Sequence, residues 1–332
     1  EVRALGGWRG RGRAARAGAA WAPGPVVPSG SLLQGSSGQG TELPRDVNYT
    51  HLQTTMPNRI RNQHCSNCWA AATASMLEAH TELHMGIDRK FSEMELTSCT
   101  VNPFQCGGRG GCSGATPELA LEHVLLNGLG QDDASKECPQ PLQPIVDVGE
   151  GPPHEWGPGV RRPPVPGPSR HFGMVAWERL PENRYEPLMR ALVERGPVVV
   201  AISTDWKHYG NGIFDGCPKN ADITHSVLLL GYGEDGSVGD VGTKYWLIQN
   251  SWGTDFGEMG KIRLLRQDDE ETAWRGVDRS PQEGTACTGG PAEVEVAGMC
   301  GILYDSAVPH FQARTVAARR LAALRGEAPA EA

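Results

Sequence analysis

The sequence predicts an α+β fold with two lobes, a helical lobe followed by a strand-rich lobe. Helix-spaced apolar residues fill the first half of the ordered chain, and short apolar runs between glycine-rich turns fill the second half. A proline-dense segment separates the two halves. Helices followed by strands, rather than a regular alternation of both, are typical of α+β proteins. With 332 residues, the chain is long enough to bury a substantial core.

Three helices are predicted. The first begins near Trp69, because apolar and small side chains recur from there at helical spacing. The second covers residues 116–126 and has Pro117 in its first turn, where the missing N–H costs nothing. The third covers residues 185–195 and is ended by Gly196 and Pro197.

Four strands are predicted in the second half of the chain. Each is a short run rich in Val, Ile, Leu or aromatic residues, and each is bounded by glycine-rich turns. They cover residues 198–202, 227–230, 245–248 and 262–265.

Composition divides the chain into an ordered domain with flanking and inserted segments. Residues 1–42 are rich in Gly, Ala, Arg, Pro and Ser without apolar periodicity, so we predict a disordered or residual pro-segment. The domain itself extends over residues 43–309 and is followed by a tail. Its predicted parts are a helical lobe (43–138), a Pro-rich insertion (139–169), a strand-rich lobe (170–309) with a polar surface insertion (267–298), and the tail (310–332).

Charge and hydropathy exclude two classes of partner. The formal net charge is −8, which disfavours binding to nucleic acid or to an anionic membrane surface. The sequence contains no apolar run of about 18 residues, the length that a membrane-spanning helix requires. We therefore predict neither a nucleic-acid nor a membrane partner.

The stretch Cys65-Ser66-Asn67-Cys68-Trp69 raises the first functional question. Two cysteines separated by two residues form a metal knuckle, a redox pair, or a structural cysteine beside a nucleophile. No second CxxC or CxxH pair exists to complete a zinc site. The chain has nine cysteines, and an odd number in a secreted protein indicates one free or reactive thiol.

A nucleophilic role for Cys68 requires groups that hold its thiol as thiolate. A helix N-terminus and a nearby imidazolium both lower a thiol pKa, and the first predicted helix begins at this cysteine. His225 opens a predicted strand and Asn250 closes the next one. Side chains at strand ends can face a cleft, so these residues are candidates for a catalytic histidine and the group that orients it.

Several blocks occur in an order that resembles the papain-like cysteine proteases, the group that includes the cathepsins. The distance from Cys68 to His225 slightly exceeds the roughly 130–150 residues of that signature, and the Pro-rich insertion accounts for the excess. The block containing Asn250 is the most specific of the set. The blocks are RNQHCSNCWA, SEMELTSC, GGCSGATPELA, GPVVVAI, NGIFDGC, THSVLLLGYG, KYWLIQNSWGTDFGE and CGIL.

The resemblance implies a papain-like fold with a helical N-terminal lobe, an antiparallel β-barrel-like C-terminal lobe and an active site in the cleft between them. It implies that Cys68 is the nucleophile, that His225 is the general base and acid, and that Asn250 orients the imidazole. Trp252 would shield that hydrogen bond. Gln63 would donate to the oxyanion together with the backbone N–H of Cys68.

The same resemblance implies a substrate-binding role for Gly114 and Ala115, where the alanine narrows a subsite. It also implies three disulfides. Cys106 and Cys287 lie in insertions that the family lacks, and the sequence leaves them either free or paired. The implied bonds are Cys65–Cys112, Cys99–Cys138 and Cys217–Cys300.

The predicted function is peptide-bond hydrolysis through a thioester acyl-enzyme. No insertion carries the paired histidines of a carboxydipeptidase lid, so the prediction is an endopeptidase. We expect peptide or protein substrates, a monomer, no metal and no organic cofactor. The expected location is a secreted or lysosome- or vacuole-like compartment.

Departures from the family pattern lead to a second prediction and an alternative. Ser66 replaces a glycine, Asn67 precedes the nucleophile, and at least one residue is missing between Gln63 and Cys65. A displaced oxyanion donor predicts reduced activity. The alternative is a catalytically inactive papain-fold protein that serves in binding or as a scaffold.

Overall fold

The computed structural model describes residues 42–132, 172–236, 242–267 and 274–311. The predicted disordered segment, the Pro-rich insertion, Cys138 and the tail beyond residue 311 lie outside these ranges. Within them, no helix combines the length and the apolar character needed to cross a bilayer.

The described residues form four α-helices: α1 (Cys68–Met85), α2 (Glu93–Cys99), α3 (Pro117–Asn127) and α4 (Tyr185–Glu194). The three predicted helices are confirmed as α1, α3 and α4. Helix α1 ends at Gly86, whose φ of 68° gives the left-handed conformation that suits glycine after a helix. Helix α2 was not predicted, although Ser92 caps it by accepting a hydrogen bond from the Glu95 N–H. The Ser-x-x-Glu pattern is the sequence signal that would have found this helix.

The described part of the chain also forms ten strands, β1 (Val47–Asn48), β2 (Met174–Arg179), β3 (Val198–Ile202), β4 (Ile213–Phe214), β5 (His225–Glu234), β6 (Lys244–Gln249), β7 (Lys261–Leu265), β8 (Arg275–Asp278), β9 (Val294–Ala297) and β10 (Asp305–Phe311). The four predicted strands are confirmed as β3, β5, β6 and β7.

The main sheet is open and mixed. Its order is β2-β10-β3-β5-β6-β7-β4, with β1 paired to β5, and β4 runs parallel to β7. A barrel closes only when its first and last strands pair. In the part of the chain that the structure describes, β4 is two residues long and pairs with β7 alone, so the barrel-like C-terminal lobe is not a closed barrel.

The sheet separates two hydrophobic cores, which explains why β3 and residues 227–230 of β5 are apolar at every position. Val198 and Val200 point into the core shared with α4, whereas Val199 points into the core built on α1 and α3. On β5, Leu229 points into the core shared with α4, and Leu228 points into the core built on α1 and α3. Because successive side chains of a strand face opposite sides, a strand buried on both faces loses the usual polar alternation.

Residues 274–298 differ from the surface insertion that the sequence predicts. Strands β8 and β9 form an antiparallel hairpin in which Asp278 pairs with Val294. Thr285 and Ala286, in the segment between the two strands, are only 6% and 3% exposed. The segment is polar and rich in glycine, which hides its packing from a composition argument, and long-range contacts hold it in place although most of its residues are at least partly exposed.

Candidate active site

The three predicted catalytic side chains come from three elements that meet at one edge of the sheet. Cys68 is the first residue of α1, His225 is the first residue of β5, and Asn250 directly follows β6. Strands β5 and β6 are antiparallel neighbours, so the start of one lies beside the end of the other. Helix α1 packs on β5, which brings the N-terminus of the helix to the same edge.

The His225 ring is fixed by a polar contact and by aromatic packing. Its Nε2 lies 2.8 Å from Oδ1 of Asn250, and because an amide oxygen only accepts, Nε2 is the donor. The Trp252 indole packs on the imidazole with ring centroids 5.1 Å apart, and Trp206 stacks on Trp252 at 5.0 Å. His225 is 5% exposed and Asn250 is 2% exposed, so the hydrogen bond is shielded from water.

Cys68 and His225 shift each other's titration in opposite directions. Burial opposes a charged thiolate, but the charge of His225 and its hydrogen bond to the sulfur outweigh burial and lower the pKa of Cys68. Burial also opposes an imidazolium, and the thiolate and Asn250 outweigh it and raise the pKa of His225. The pair therefore favours thiolate and imidazolium.

The N-terminus of α1 adds to this effect. Asn67 precedes the helix without capping it, and its side-chain amide instead donates to Glu93 Oε1 and Thr97 Oγ1 of α2. The N–H groups of Ala70 and Ala71 donate to the Asn67 carbonyl, and the Trp69 N–H bonds the sulfur. A free N–H in the first turn and the helix dipole both stabilise an anion at a helix N-terminus.

Gln63 lies beside the site, and its amide is already engaged. Its Nε2 donates to the carbonyl oxygen of Cys65 at 2.8 Å, and its Oε1 accepts from Ser251 Oγ at 2.5 Å. The Gln63 backbone N–H donates to the Ser251 carbonyl, so the loop is held against the segment that follows β6. An amide nitrogen carries two hydrogens, which leaves one for an oxyanion.

Neither residue that departs from the family pattern adopts the left-handed conformation that glycine supports. In the described part of the chain, the non-glycine residues with positive φ are Gln105, Asn183, Met259 and Cys300. Asn67 has φ −110°, and its N–H donates to the Cys65 carbonyl at 2.8 Å. Ser66 therefore carries no steric cost from replacing a glycine, and the short loop is the remaining reason to expect a displaced donor.

The predicted substrate-binding residues lie on the helical-lobe side of the site. Ser66 and Ser113 form a bridge that places the Gly114 segment next to the loop preceding Cys68. Gly114 has φ 88°, and a Cβ there would lie 2.3 Å from the Gly107 carbonyl oxygen, so a larger residue is excluded. Ala115 is 5% exposed.

The described cysteines pair around a single free thiol. Cys65 bonds Cys112 and Cys217 bonds Cys300, as the resemblance implies, and Cys106 bonds Cys287, which the sequence left open. Cys99 is disulfide-bonded, and because Cys138 lies outside the described residues the Cys99–Cys138 bond stays a prediction. Cys68 is the free cysteine among the described residues.

Two features of the site were missed from the sequence. Trp206 packs against both His225 and Trp252, and no local pattern distinguishes it from an ordinary core tryptophan. The Ser226 N–H bonds the Cys68 sulfur, a contact that depends on how β5 meets α1. Within the described residues, no cluster of three His, Cys, Asp or Glu side chains could hold a metal ion.

Comparison with known proteins agrees with this geometry. A family model described as "Papain family cysteine protease" matches residues 43–276. The chain is 28% identical over 240 residues to the oryzain beta chain of Oryza sativa subsp. japonica, covering 71% of this chain and 45% of that protein. It is 28% identical over 244 residues to cathepsin L 2 of Paramecium tetraurelia, covering 73% and 66%. The chain thus spans about half to two thirds of these relatives.

Solved structures show the same fold. The bromelain protease from Ananas comosus in complex with the E64 inhibitor superposes with a TM-score of 0.55 at 23% identity, covering 81% of this chain and 100% of that one. Digestive procathepsin L 3 of Tenebrio molitor larval midgut superposes with a TM-score of 0.55 at 20% identity, covering 87% and 74%.

Proposed function

Because the chain belongs to the papain family of cysteine proteases, we propose that it hydrolyses peptide bonds in peptide or protein substrates, with Cys68 as the nucleophile. The observation that carries this proposal is the buried arrangement in which Cys68 and His225 shift each other's pKa toward the ion pair while Asn250 holds the imidazole at 2.8 Å. Such a thiolate is ready to attack without a separate deprotonation step.

The reaction follows from the positions of these groups. The Cys68 thiolate attacks the peptide carbonyl carbon, and the negative charge moves to the carbonyl oxygen. The Cys68 backbone N–H and the remaining hydrogen of Gln63 Nε2 stabilise that oxygen. The His225 imidazolium then protonates the leaving amine, the C–N bond breaks, and a thioester remains.

Hydrolysis of the thioester uses the same histidine in the opposite sense. Neutral His225 takes a proton from water as the water oxygen attacks the thioester carbon. The C–S bond breaks, the acid product leaves, and Cys68 departs as a thiolate that pairs again with the imidazolium. Asn250 and Trp252 keep the ring in one orientation through both steps. No metal or organic cofactor takes part in this scheme.

A lower rate than that of ordinary family members is part of the proposal. The Gln63 amide donates to the Cys65 carbonyl across a loop that is shorter than the family's, which draws it away from the oxyanion position. Oxyanion stabilisation depends on donors placed about 2.7–3.1 Å from the developing charge. Endopeptidase specificity and a monomeric state stay predictions, and the disulfides favour an oxidising secreted or lysosome-like compartment.

Covalent labelling tests the proposal directly. The epoxide E-64, which the bromelain complex contains, should label Cys68, and peptide mapping would locate the adduct. Because the pKa of Cys68 is lowered, alkylation should remain fast below the ordinary titration range of a thiol. His225→Ala should move the pH profile of alkylation upward, since it removes the positive charge that stabilises the thiolate.

Two results would contradict the proposal. An alkylation profile that is identical in the His225→Ala variant would show that the two groups do not form an ion pair. A protein that E-64 labels at Cys68 but that cleaves no peptide from a mixed-sequence library would support the inactive binding or scaffold protein instead.

A further inference from the structure

The segment between β8 and β9, residues 279–293 and here called the strap, is anchored to the helical lobe. Cys287 is bonded to Cys106, far along the chain, with 181 residues of sequence separation. On either side of that bond, the Gly107 N–H donates to the Ala286 carbonyl at 2.9 Å and the Thr288 N–H donates to the Phe104 carbonyl at 3.0 Å. A covalent bond flanked by two backbone hydrogen bonds holds this part of the strap in place.

The strap also contacts the strand lobe directly beside the catalytic histidine. A Cβ on Gly284 would lie 1.7 Å from the Ile223 carbonyl oxygen and 2.9 Å from the Thr224 Cα, so the two backbones pass without side chains between them. At the base of the hairpin, Asp278 Oδ2 accepts from the Ile223 N–H at 3.2 Å. Thr224 immediately precedes His225 in the sequence.

Between these anchors the strap passes the predicted substrate-binding residues. A Cβ on Gly107 would lie 2.6 Å from the Gly284 carbonyl oxygen and 2.9 Å from the Ala115 carbonyl oxygen, so Gly107 separates the strap from Ala115 by the width of one backbone. Thr285 and Ala286 are 6% and 3% exposed. The strap therefore fills the space between Ala115 on one wall and Thr224 on the other.

We propose that the strap closes the end of the cleft bordered by Gly114 and Ala115, so that the protein cleaves bonds near a terminus of its peptide substrate. This inference rests on the proposed peptidase function. An extended peptide that is cleaved in its middle must run through both ends of a cleft. A disulfide-tethered segment, buried at Thr285 and Ala286, already occupies one end, so a substrate must stop before it. The strap therefore favours an exopeptidase over the endopeptidase that the sequence predicts.

The test compares the unaltered protein with a variant that lacks the strap. Because Asp278 and Val294 are paired, replacing residues 279–293 with Asn-Gly closes the hairpin through a two-residue turn, and Cys106→Ser removes the orphaned thiol. The matched control is Cys106→Ser with Cys287→Ser, which keeps the strap and removes only its disulfide. Each protein is given peptides that share a central sequence and are extended at one end or the other, and mass spectrometry maps the products.

The unaltered protein should release short fragments from one terminus of the peptide. Extending the peptide at its other terminus should not change the cleavage rate or the products. The strapless variant should raise the ratio of internal to terminal cleavage by about tenfold or more, because specificity is a ratio of kcat/KM values. The product map of the unaltered protein decides the matter even if the strapless variant does not fold.

Three outcomes would overturn the inference. The first is internal cleavage by the unaltered, oxidised protein at the rate of the strapless variant. The second is a protein that stays silent until the Cys106–Cys287 bond is reduced, which would make the strap an inhibitor rather than a stop. The third is an absence of cleavage in every variant together with unlabelled Cys68, which would overturn the peptidase function itself.

Discussion

Helix α1 buries three ionisable side chains, Cys68, Glu78 and His80, and Glu78 is surrounded by donors. Glu78 is 2% exposed. Its Oε1 accepts from Arg61 Nη2 at 2.5 Å and from the Phe91 N–H at 2.9 Å. Its Oε2 accepts from Thr54 Oγ1 at 2.9 Å and from Arg59 Nη2 at 3.2 Å. A carboxylate has about four lone-pair positions, so this one is saturated.

Cys68, at the start of the same helix, is held quite differently. Its charge partner is His225, which belongs to the other lobe, and backbone N–H groups of Trp69 and Ser226 supply its remaining hydrogen bonds. A thiolate and an imidazolium can exchange one proton, whereas a carboxylate paired with two guanidinium groups has none to exchange. The comparison shows that burial alone does not make a reactive group. A group is reactive when its partner can take or give a proton.

The largest expected effect is on the reactive end of the helix. Cys68→Ala should lower peptide turnover by about 10⁴-fold or more, because removal of a nucleophile eliminates the covalent route. The free energy of unfolding should change little, because alanine fits the first turn of a helix. Steady-state kinetics and urea unfolding measure the two quantities. Turnover that persists after Cys68→Ala would show that Cys68 is not the nucleophile.

Substitution of Glu78, the carboxylate with four donors, should affect stability rather than turnover. Glu78→Ala removes the buried carboxylate that Arg59 and Arg61 share, leaves them only Asp88 and Glu93 as acidic partners, and should lower the free energy of unfolding by about 3 kcal/mol. Glu82→Ala is the control, because Glu82 on the same helix accepts an exposed hydrogen bond from the Gln53 N–H and should cost about 1 kcal/mol or less. Equal losses of unfolding free energy in Glu78→Ala and Glu82→Ala would show that the buried contacts of Glu78 add no stability beyond an exposed hydrogen bond.

Another buried carboxyl, Glu118 of α3, sharpens the comparison because one of its oxygens lacks a hydrogen-bond donor among the described residues. Its Oε2 has no hydrogen-bond partner among the described residues, and Arg179 Nε lies 3.7 Å from its Oε1. Burial, with the negative charge of Asp305, raises the pKa of Glu118 to about 8, against the partial opposition of Arg179. The Glu118 carboxyl therefore favours the protonated state.

The sign of the resulting pH dependence follows from linkage. A carboxyl whose pKa is raised on folding contributes stability below its unfolded value of 4.5, and this contribution is lost as pH rises through about 8. Glu118→Gln stays neutral, so its stability relative to the unaltered protein should rise by roughly 1.4 kcal/mol per pH unit between about pH 5 and pH 8 and then level off. Urea unfolding at several pH values measures the difference. A pH-independent difference would show that Glu118 is ionised throughout.

The smallest expected effect concerns the loop before Cys68. Inserting one glycine between His64 and Cys65 should release the Gln63 amide from the Cys65 carbonyl and raise kcat/KM by about tenfold, part of the 10²–10³ that an oxyanion donor contributes. Ser66→Gly is the control and should leave the rate unchanged, because Ser66 is not among the residues with positive φ. A rate that is unaffected by the insertion would show that the short loop is accommodated without loss.

Local signals were enough to place much of the fold. Helix α1 follows from helical spacing after Trp69, and α3 follows from Pro117 in its first turn, because both depend on neighbours within a few residues. Helix α2 carried an equally local capping signal that was overlooked. Strand β10 lies between β2 and β3, far from both in sequence, and no local pattern specifies that position.

The sequence by itself determined which residue types and blocks the cleft would contain, because Cys68, His225 and Asn250 each stand in a recognisable local context. Only the tertiary structure decided what surrounds them. The four donors to Glu78 come from two segments distant from it in sequence, residues 54–61 and Phe91, and which cysteines pair cannot be deduced from spacing. The strap shows this most clearly: a polar, glycine-rich segment is anchored to the helical lobe because Cys106 and Cys287, 181 residues apart, meet in space. Contacts between distant segments depend on how the elements pack, and a local pattern does not record them.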